Sequence, residues 1–576
     1  MAPPGIVYLA RALPVAFFRS AVTYVVFSRL PQLLAHLEST GAVDKLPERI
    51  VVFLTQLQSS EFVERPQAVH PIFFALRSLY RHLSTWQDKR RLAAVGIPLV
   101  PDRWPGGLGN VSKLGKMLNA GYPGDAFQSW IAEYGNTVML NLLFENRIVT
   151  VEPDYIKAVL ATDFDNYWKG PVDHDRGISL LGTGVFNTDG SFHRSMTRPF
   201  FSRERISDFD IFDKHANDAI DQAAIRLGQG YAVDIQDVAS RFTLDSATEF
   251  LFGKSVDSLS AGLAYPESAA GMTSASFLNH PSNAFVHAFI EGQRVHVDRS
   301  RFGSKWRLNE FWSDLVTPHR QVIDQFIEPI LNDALAKKAE GQETKQEADT
   351  LLGHLLLSTD DKQIIRDEIL NILVAGRDTT SATISFAVYM LAQHPEMAKR
   401  LRSEVLEKIG SSRRPTHEDM KTMPYLRAFI NAAHYLSNCR TSKKATTWAN
   451  PTGQPVLSLE FDPDRFLDER LRKYLTPNPY IFLPFNAALA YFAPTGPRIC
   501  IGQMFAYQET SFFLVRLLQR FASFSLAPDA QPEDSKPPAS WKSSPMKAKE
   551  EITFGASLTM YARGGLWVRM REAIRR

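Results

Sequence analysis

The sequence predicts a mainly α fold, one large helical domain with a small β-sheet region. From about Asp125 onward apolar residues recur at three- and four-residue spacing, as across Phe209 to Leu227 and Phe311 to Leu335. That spacing marks helices with one buried face. Strand candidates are few: Thr137 to Leu143 and Arg147 to Val151 read as a hairpin turning around Glu145-Asn146. The longest helical pattern runs from about Asp360 to His394, opened by Ser358 and Thr359 as caps and closed by Pro395.

In chain order, Gly5 to Leu34 is apolar and aromatic but carries Arg11, Arg19 and Arg29, with Pro14 between them. Its uncharged runs fall short of the about 20 residues a spanning helix needs. An interfacial anchor and a core helix both fit, and no small-residue cleavage site marks it for removal. The apolar patches Ile50 to Leu57 and Pro71 to Phe74 are too short to decide between them. Pro98, Pro101, Pro105, Gly106 and Gly107 then interrupt any helix or central strand. The expected division is a membrane-associated leader over 1–97 and one main domain over 98–576. Ala336 to Asp349 is almost wholly polar and reads as an exposed loop.

Composition narrows the function. The chain has 576 residues, 44% hydrophobic and 22% charged, with 65 Lys plus Arg against 62 Asp plus Glu, which excludes disorder and gives no electrostatic case for nucleic acid. Two cysteines, Cys439 and Cys500, exclude a disulfide framework and any four-thiolate metal site. A single thiolate remains available as nucleophile or metal ligand.

Two motifs carry chemistry. Inside the long helix sits Ala375-Gly376-Arg377-Asp378-Thr379-Thr380. A glycine in a helix interior costs about 1 kcal/mol against alanine, so it asks for a reason. Ala375 and Thr379 share a face, leaving either a helix crossing or a gap for a small ligand beside a hydroxyl. Near the C-terminus, Gly496-Pro497-Arg498-Ile499-Cys500-Ile501-Gly502 precedes a helical pattern reaching about Phe521. A cysteine in a turn ahead of a helix receives backbone N–H groups and the positive end of the helix dipole, as an axial thiolate ligand requires.

With both motifs in this order and about 120 residues apart, the sequence resembles the cytochrome P-450 superfamily, the haem-thiolate monooxygenases, over roughly Pro101 to Met570. Phe482-Leu483-Pro484-Phe485-Asn486-Ala487 and Phe461-Asp462-Pro463-Asp464-Arg465-Phe466 are similar to its fungal alkane and fatty-acid hydroxylase branch. The resemblance implies the P-450 fold for 98–576, with haem b (iron-protoporphyrin IX) as cofactor and Cys500 as the iron ligand whose electron donation favours O–O cleavage. Thr379 and Asp378 would hold dioxygen and relay protons, and Ala375 and Gly376 would make the space. Gly496 and Gly502 would shape the ligand loop. Arg498, and Arg194 from Phe192-His193-Arg194, would each pair with a haem propionate through the planar guanidinium fork.

Three departures from the family stand out. Four residues before Arg194, where the family has tryptophan, is Gly190. After Tyr425-Leu426-Arg427-Ala428-Phe429-Ile430-Asn431, where a helix should carry glutamate-any-any-arginine, the chain reads Ala432-Ala433-His434-Tyr435-Leu436-Ser437-Asn438-Cys439. Arg465 is thus expected to lack its partner, and the short connection from Thr441 to Phe461 to lack part of the sheet. Finally, the phenylalanine expected three residues before Gly496 is Ala493, as if Ala488 to Thr495 were inserted after Phe485-Asn486-Ala487. Interruptions inside functional segments, each resuming in register, are read as misassigned exon boundaries or a decaying gene copy. A transcript running straight through all three segments would sink the first version.

The expected function is insertion of one oxygen atom from dioxygen into a small apolar substrate: a fatty acid, an alkane, or a secondary metabolite or xenobiotic. Gly182-Thr183-Gly184 lacks the rest of a dinucleotide-binding loop, so electrons are expected from a separate NADPH-dependent reductase or cytochrome b5. The setting expected is the endoplasmic reticulum membrane surface, with the catalytic domain facing the cytosol. The alternative is a non-catalytic homologue, disabled by the missing charge pair and the insertion in the cysteine loop.

Overall fold

The structure is a computed structural model that describes residues 3–10, 39, 86–88, 90–92, 94–102, 104, 107–119, 122–201, 209–341, 349–439, 448–449, 455–456, 461–486, 498–544 and 547–573. Almost all of the leader, and with it the question of an anchor over Gly5 to Leu34, lies outside these. Among the described residues no helix is long and apolar enough to cross a membrane. Contacts divide the chain into two units, Met1–Leu99 with Lys305–Asp314, and Val100–Ser304 with Leu315–Arg576. In the first, residues 4–10 are helical and the Gly5 N–H donates to the Phe311 carbonyl at 2.9 Å.

The second unit is mainly helical. Its longer helices are α1 (Leu108–Asn119), α2 (Asp125–Tyr134), α3 (Gly170–Leu181), α4 (Phe192–Thr197), α5 (Asp210–Gly228), α6 (Ile235–Phe252), α7 (Pro281–Phe302), α8 (Thr317–Glu340), α9 (Leu351–Ser358), α10 (Lys362–Gln393), α11 (Pro395–Lys408), α12 (Pro424–Cys439) and α13 (Gln503–Arg520). The sheets are small and antiparallel. β1 (Thr137–Leu142) pairs with β2 (Glu145–Thr150), and β4 (Trp448–Ala449) with β5 (Pro455–Val456). β3 (Val233–Asp234) and β6 (Phe521–Leu526) flank β9 (Trp567–Glu572), and β7 (Phe554–Ala556) pairs with β8 (Met560–Ala562).

Several boundaries differ from those the sequence suggests. The first hairpin turns at Leu143 and Phe144, not at Glu145-Asn146; both turn residues have positive φ, 49° and 65°, without the glycine or asparagine that usually signals it. The cap of α10 is Asp361, whose carboxylate accepts from the N–H groups of Gln363 and Ile364 at 2.9 and 3.2 Å, because Ser358 still belongs to α9. The polar stretch after Ala336 begins as the last turn of α8, ended by Gly341 at φ 65°. The connection between Thr441 and Phe461 keeps one short hairpin, β4–β5.

Burial falls into two large clusters, and α10 runs through both. Its N-terminal half, Ile365 to Val374, packs with α3, α7, α8 and α9. Its C-terminal half, Ile384 to Leu391, packs with α5, α11, α12 and α13. Arg320 of α8 pairs with the buried Asp367 of α10 at 2.8 Å. Asp367 also accepts from the Thr183 N–H at 2.9 Å, where the chain passes so close that a Cβ on Gly182 would lie 2.0 Å from its carboxylate. Gly182-Thr183-Gly184 is therefore a close-approach turn against α10 and not a remnant of a phosphate loop.

Candidate active site

The seam between the two clusters falls on Ala375 to Thr383 of α10. From Ile369 to Leu391 the residues that are not buried are Ala375, Gly376, Thr379 and Ala382. Ala375, Thr379 and Ala382 follow the three- and four-residue spacing of one helix face. α10 thus opens a stripe of small side chains, with Thr379 the exposed residue on it. The Thr379 hydroxyl donates to the Ala375 carbonyl at 2.7 Å, the bond of a helical threonine with no partner beyond its own backbone.

The neighbours of Thr379 face inward. Asp378 is buried and takes the Arg377 guanidinium at 2.6 Å, and the Arg377 carbonyl accepts from the Thr243 hydroxyl of α6 at 3.1 Å. A Cβ on Gly376 would meet only the Ala247 Cβ, at 3.8 Å. Gly376 therefore sits at the crossing with α6, and of the two residues expected to make space only Ala375 lies on the stripe with Thr379.

The cysteine loop is assembled from two stretches. Phe485 adopts φ 61° in the turn Pro484–Asn486, and its carbonyl accepts the Cys500 N–H at 3.0 Å. The opening half that sat too early in the sequence is thereby brought back to the cysteine, with Ala488 to Thr495 between them; those residues and Gly496 lie outside the described ones. Phe485 packs against Tyr507 of α13, ring centroids 4.9 Å apart, and His434 of α12, at 5.1 Å. Burial at the foot of α12 pushes His434 down to about 4, so its ring is neutral and serves as an aromatic wall.

Cys500 stands just before α13. Its Sγ accepts the Gly502 N–H, and the Arg194 guanidinium acts on it; both lower its pKa, while burial, the larger effect, pushes the thiol up. A Cβ on Gly502 would lie 3.9 Å from Phe201 and 4.0 Å from Sγ, ordinary contacts, so crowding does not demand a glycine there. Arg194 donates to the Ile499 carbonyl, and Arg498 to the carbonyls of Tyr167 and, at 3.4 Å, Phe164. Each arginine expected at a carboxylate thus also braces the backbone of the loop or of the segment over it.

The departures look different in three dimensions. Gly190 lies ahead of α4 at φ 91°, a conformation a tryptophan would strain to adopt. Ala432 and Ala433 are buried where the charged pair is missing. Arg465, 1% exposed, is not abandoned: its Nε donates to the Asp462 carbonyl at 3.0 Å. One pair escaped the sequence altogether. His193 Nδ1 bonds the buried Glu368 of α10, whose carboxyl is pushed up to about 8 by burial and by Asp367, while burial lowers His193. Both shifts favour the uncharged forms. Only tertiary structure joins positions 175 residues apart.

These features suit a flat iron-bearing group. A cysteine sulfur just before a helix would be the iron ligand of a thiolate-bound haem, with an arginine beside it and a stripe of small residues around one hydroxyl on α10 as its surroundings. The mainly α fold and this pairing define the class, a helical protein built around a thiolate loop. The cytochrome P450 family profile matches residues 100–431 and 441–549, leaving out the stretch after Asn431 where the charged pair is missing. Cytochrome P450 monooxygenase pvhE of Talaromyces variabilis is 33% identical over 449 residues, 67% of this chain and 76% of that protein. Cytochrome P450 52A5 of Candida maltosa is 33% identical over 428 residues, with the same coverage. Cytochrome P450 52A9 of the same yeast is 30% identical over 509 residues, 80% of this chain and 92% of that one. The chain belongs to the cytochrome P450 family, a family of monooxygenases whose cofactor is haem b.

Proposed function

We propose that residues 98–576 hold haem b through Cys500 and oxygenate a small apolar substrate, a fatty acid or alkane by likeness to the 52A relatives. The observation that carries this is the closure of the cysteine loop, the 3.0 Å bond from the Cys500 N–H to Phe485 across the inserted stretch. When bound, haem b supplies the activation of dioxygen. The chain's own groups do the rest. The Gly502 N–H and the positive end of α13 hold the Sγ charge. Arg194 and Arg498 would pair with the haem propionates. Ala375 leaves room beside Thr379, whose hydroxyl is placed to pass a proton to a ligand held against the stripe of small residues. Asp378, once it has released Arg377 and taken up a proton from solvent, would return that proton to the hydroxyl. Electrons come from an NADPH-dependent reductase or cytochrome b5, and the leader 1–97 keeps the chain at the endoplasmic reticulum membrane surface, the domain facing the cytosol.

The test is incubation of the haem-loaded chain with reductase, NADPH and isotope-labelled dioxygen, using long-chain fatty acids and alkanes. The expected product carries one labelled oxygen. Consumption of NADPH without labelled product from any of them overturns the substrate class.

A further inference from the structure

Glu509 is the one acidic residue of α13 and is 0% exposed. Among the described residues neither carboxyl oxygen makes a hydrogen bond of good geometry, and the same holds for the hydroxyl of Thr380, 1% exposed on α10. The two orphaned groups are neighbours. Burial drives the Glu509 pKa well above the carboxylate range, and the Thr380 hydroxyl draws it back.

The charged and titratable groups on the elements around α13 are engaged elsewhere. Asp213 of α5 pairs with Arg516, Arg402 of α11 donates to the Leu518 carbonyl, and Arg427 of α12 lies over the Tyr507 ring. His417 bonds Gln508, and Glu572 of β9 pairs with Arg520. An ionised carboxylate at Glu509 would be a buried charge with no counter-ion among the described residues. The Thr380 hydroxyl can donate to either form of the carboxyl, so it is the burial of Glu509 away from any cation, and not this bond, that favours the protonated acid.

We propose that Glu509 is held as a neutral carboxylic acid bonded to Thr380, a positioning link that fixes α10, with Thr379, against α13, with Cys500. This rests on the roles assigned above to Thr379 and Cys500. Because the folded state keeps the proton longer than the unfolded chain, this group contributes full stability below its unfolded pKa of 4.5 and loses it as pH rises toward the folded value.

The test compares the full chain with Glu509→Gln, Glu509→Ala and Thr380→Val. Infrared spectra at neutral pH should show a protonated buried carboxyl band that Glu509→Gln removes. The unfolding midpoint of the wild type should fall, relative to Glu509→Gln, as pH is raised above about 5. In the reduced, haem-loaded protein the stretch of bound carbon monoxide reads what α10 presents to it. Glu509→Gln, a neutral isostere, should leave that stretch in place, whereas Glu509→Ala and Thr380→Val should shift and broaden it. Absence of the carboxyl band, a Glu509→Gln variant behaving like Glu509→Ala, or an unmoved stretch in both disruptive variants overturns the proposal. Cys500→Ser should abolish the carbon monoxide signal and keep the carboxyl band, so failure of the haem reading and failure of this one register separately.

Discussion

The two halves of the site are built in opposite ways. α10 carries Ala375, Asp378 and Thr379 on one unbroken helix of 32 residues, anchored at each end in a different apolar cluster. The cysteine loop is joined from stretches that the sequence keeps apart, and a backbone bond from Cys500 to Phe485 closes it. A helix fixes the spacing of its residues by its own ladder of hydrogen bonds. A loop fixes nothing without the contacts that close it. The helix half therefore owes its geometry to local sequence, and the loop half to the aromatic packing of Phe485 on Tyr507 and His434.

Variants on either side sharpen this contrast. The largest effect is expected from Cys500→Ser, which should abolish thiolate-bound haem in the absorption spectrum and leave the helical circular dichroism unchanged. Thr379→Ala should keep the haem yet lower turnover by about 10²-fold, the worth of a positioned proton-transfer group. A variant that turns over normally would remove Thr379 from the relay. Asp361→Ala should cost about 1 kcal/mol in denaturant unfolding by uncapping α10, without altering the haem spectrum. The smallest effect falls on the loop. Deleting 488–495 shortens the span between Phe485 and Cys500 from fourteen intervening residues to six. Loop-closure entropy then favours the closed form by about 0.7 kcal/mol, roughly threefold in haem affinity. Weaker haem binding in a haem titration would show that the inserted stretch is part of the site.

The same contrast explains what the sequence made legible. The long helix, the hydroxyl at Thr379 and the turn ahead of α13 follow from patterns within a few residues. What was missed depends on partners far along the chain. The closure of Phe485 onto Cys500, the Arg194 bond to Ile499 and the His193–Glu368 pair each need the folded chain. Leu143 and Phe144 make a left-handed turn that their own side chains do not favour, so the hairpin was placed two residues late. Glu509 had a signal that went unused: one acid at a buried position of the apolar pattern from Phe505 to Leu518.

The central claim is that this interrupted loop still presents Cys500 to haem iron. The reduced, carbon-monoxide-bound Soret band of the purified wild-type chain tests it most directly. The account predicts the band of a thiolate-ligated haem, lost in Cys500→Ser. A wild-type chain that gives the band of a haem without thiolate, or binds no haem at all, would contradict it.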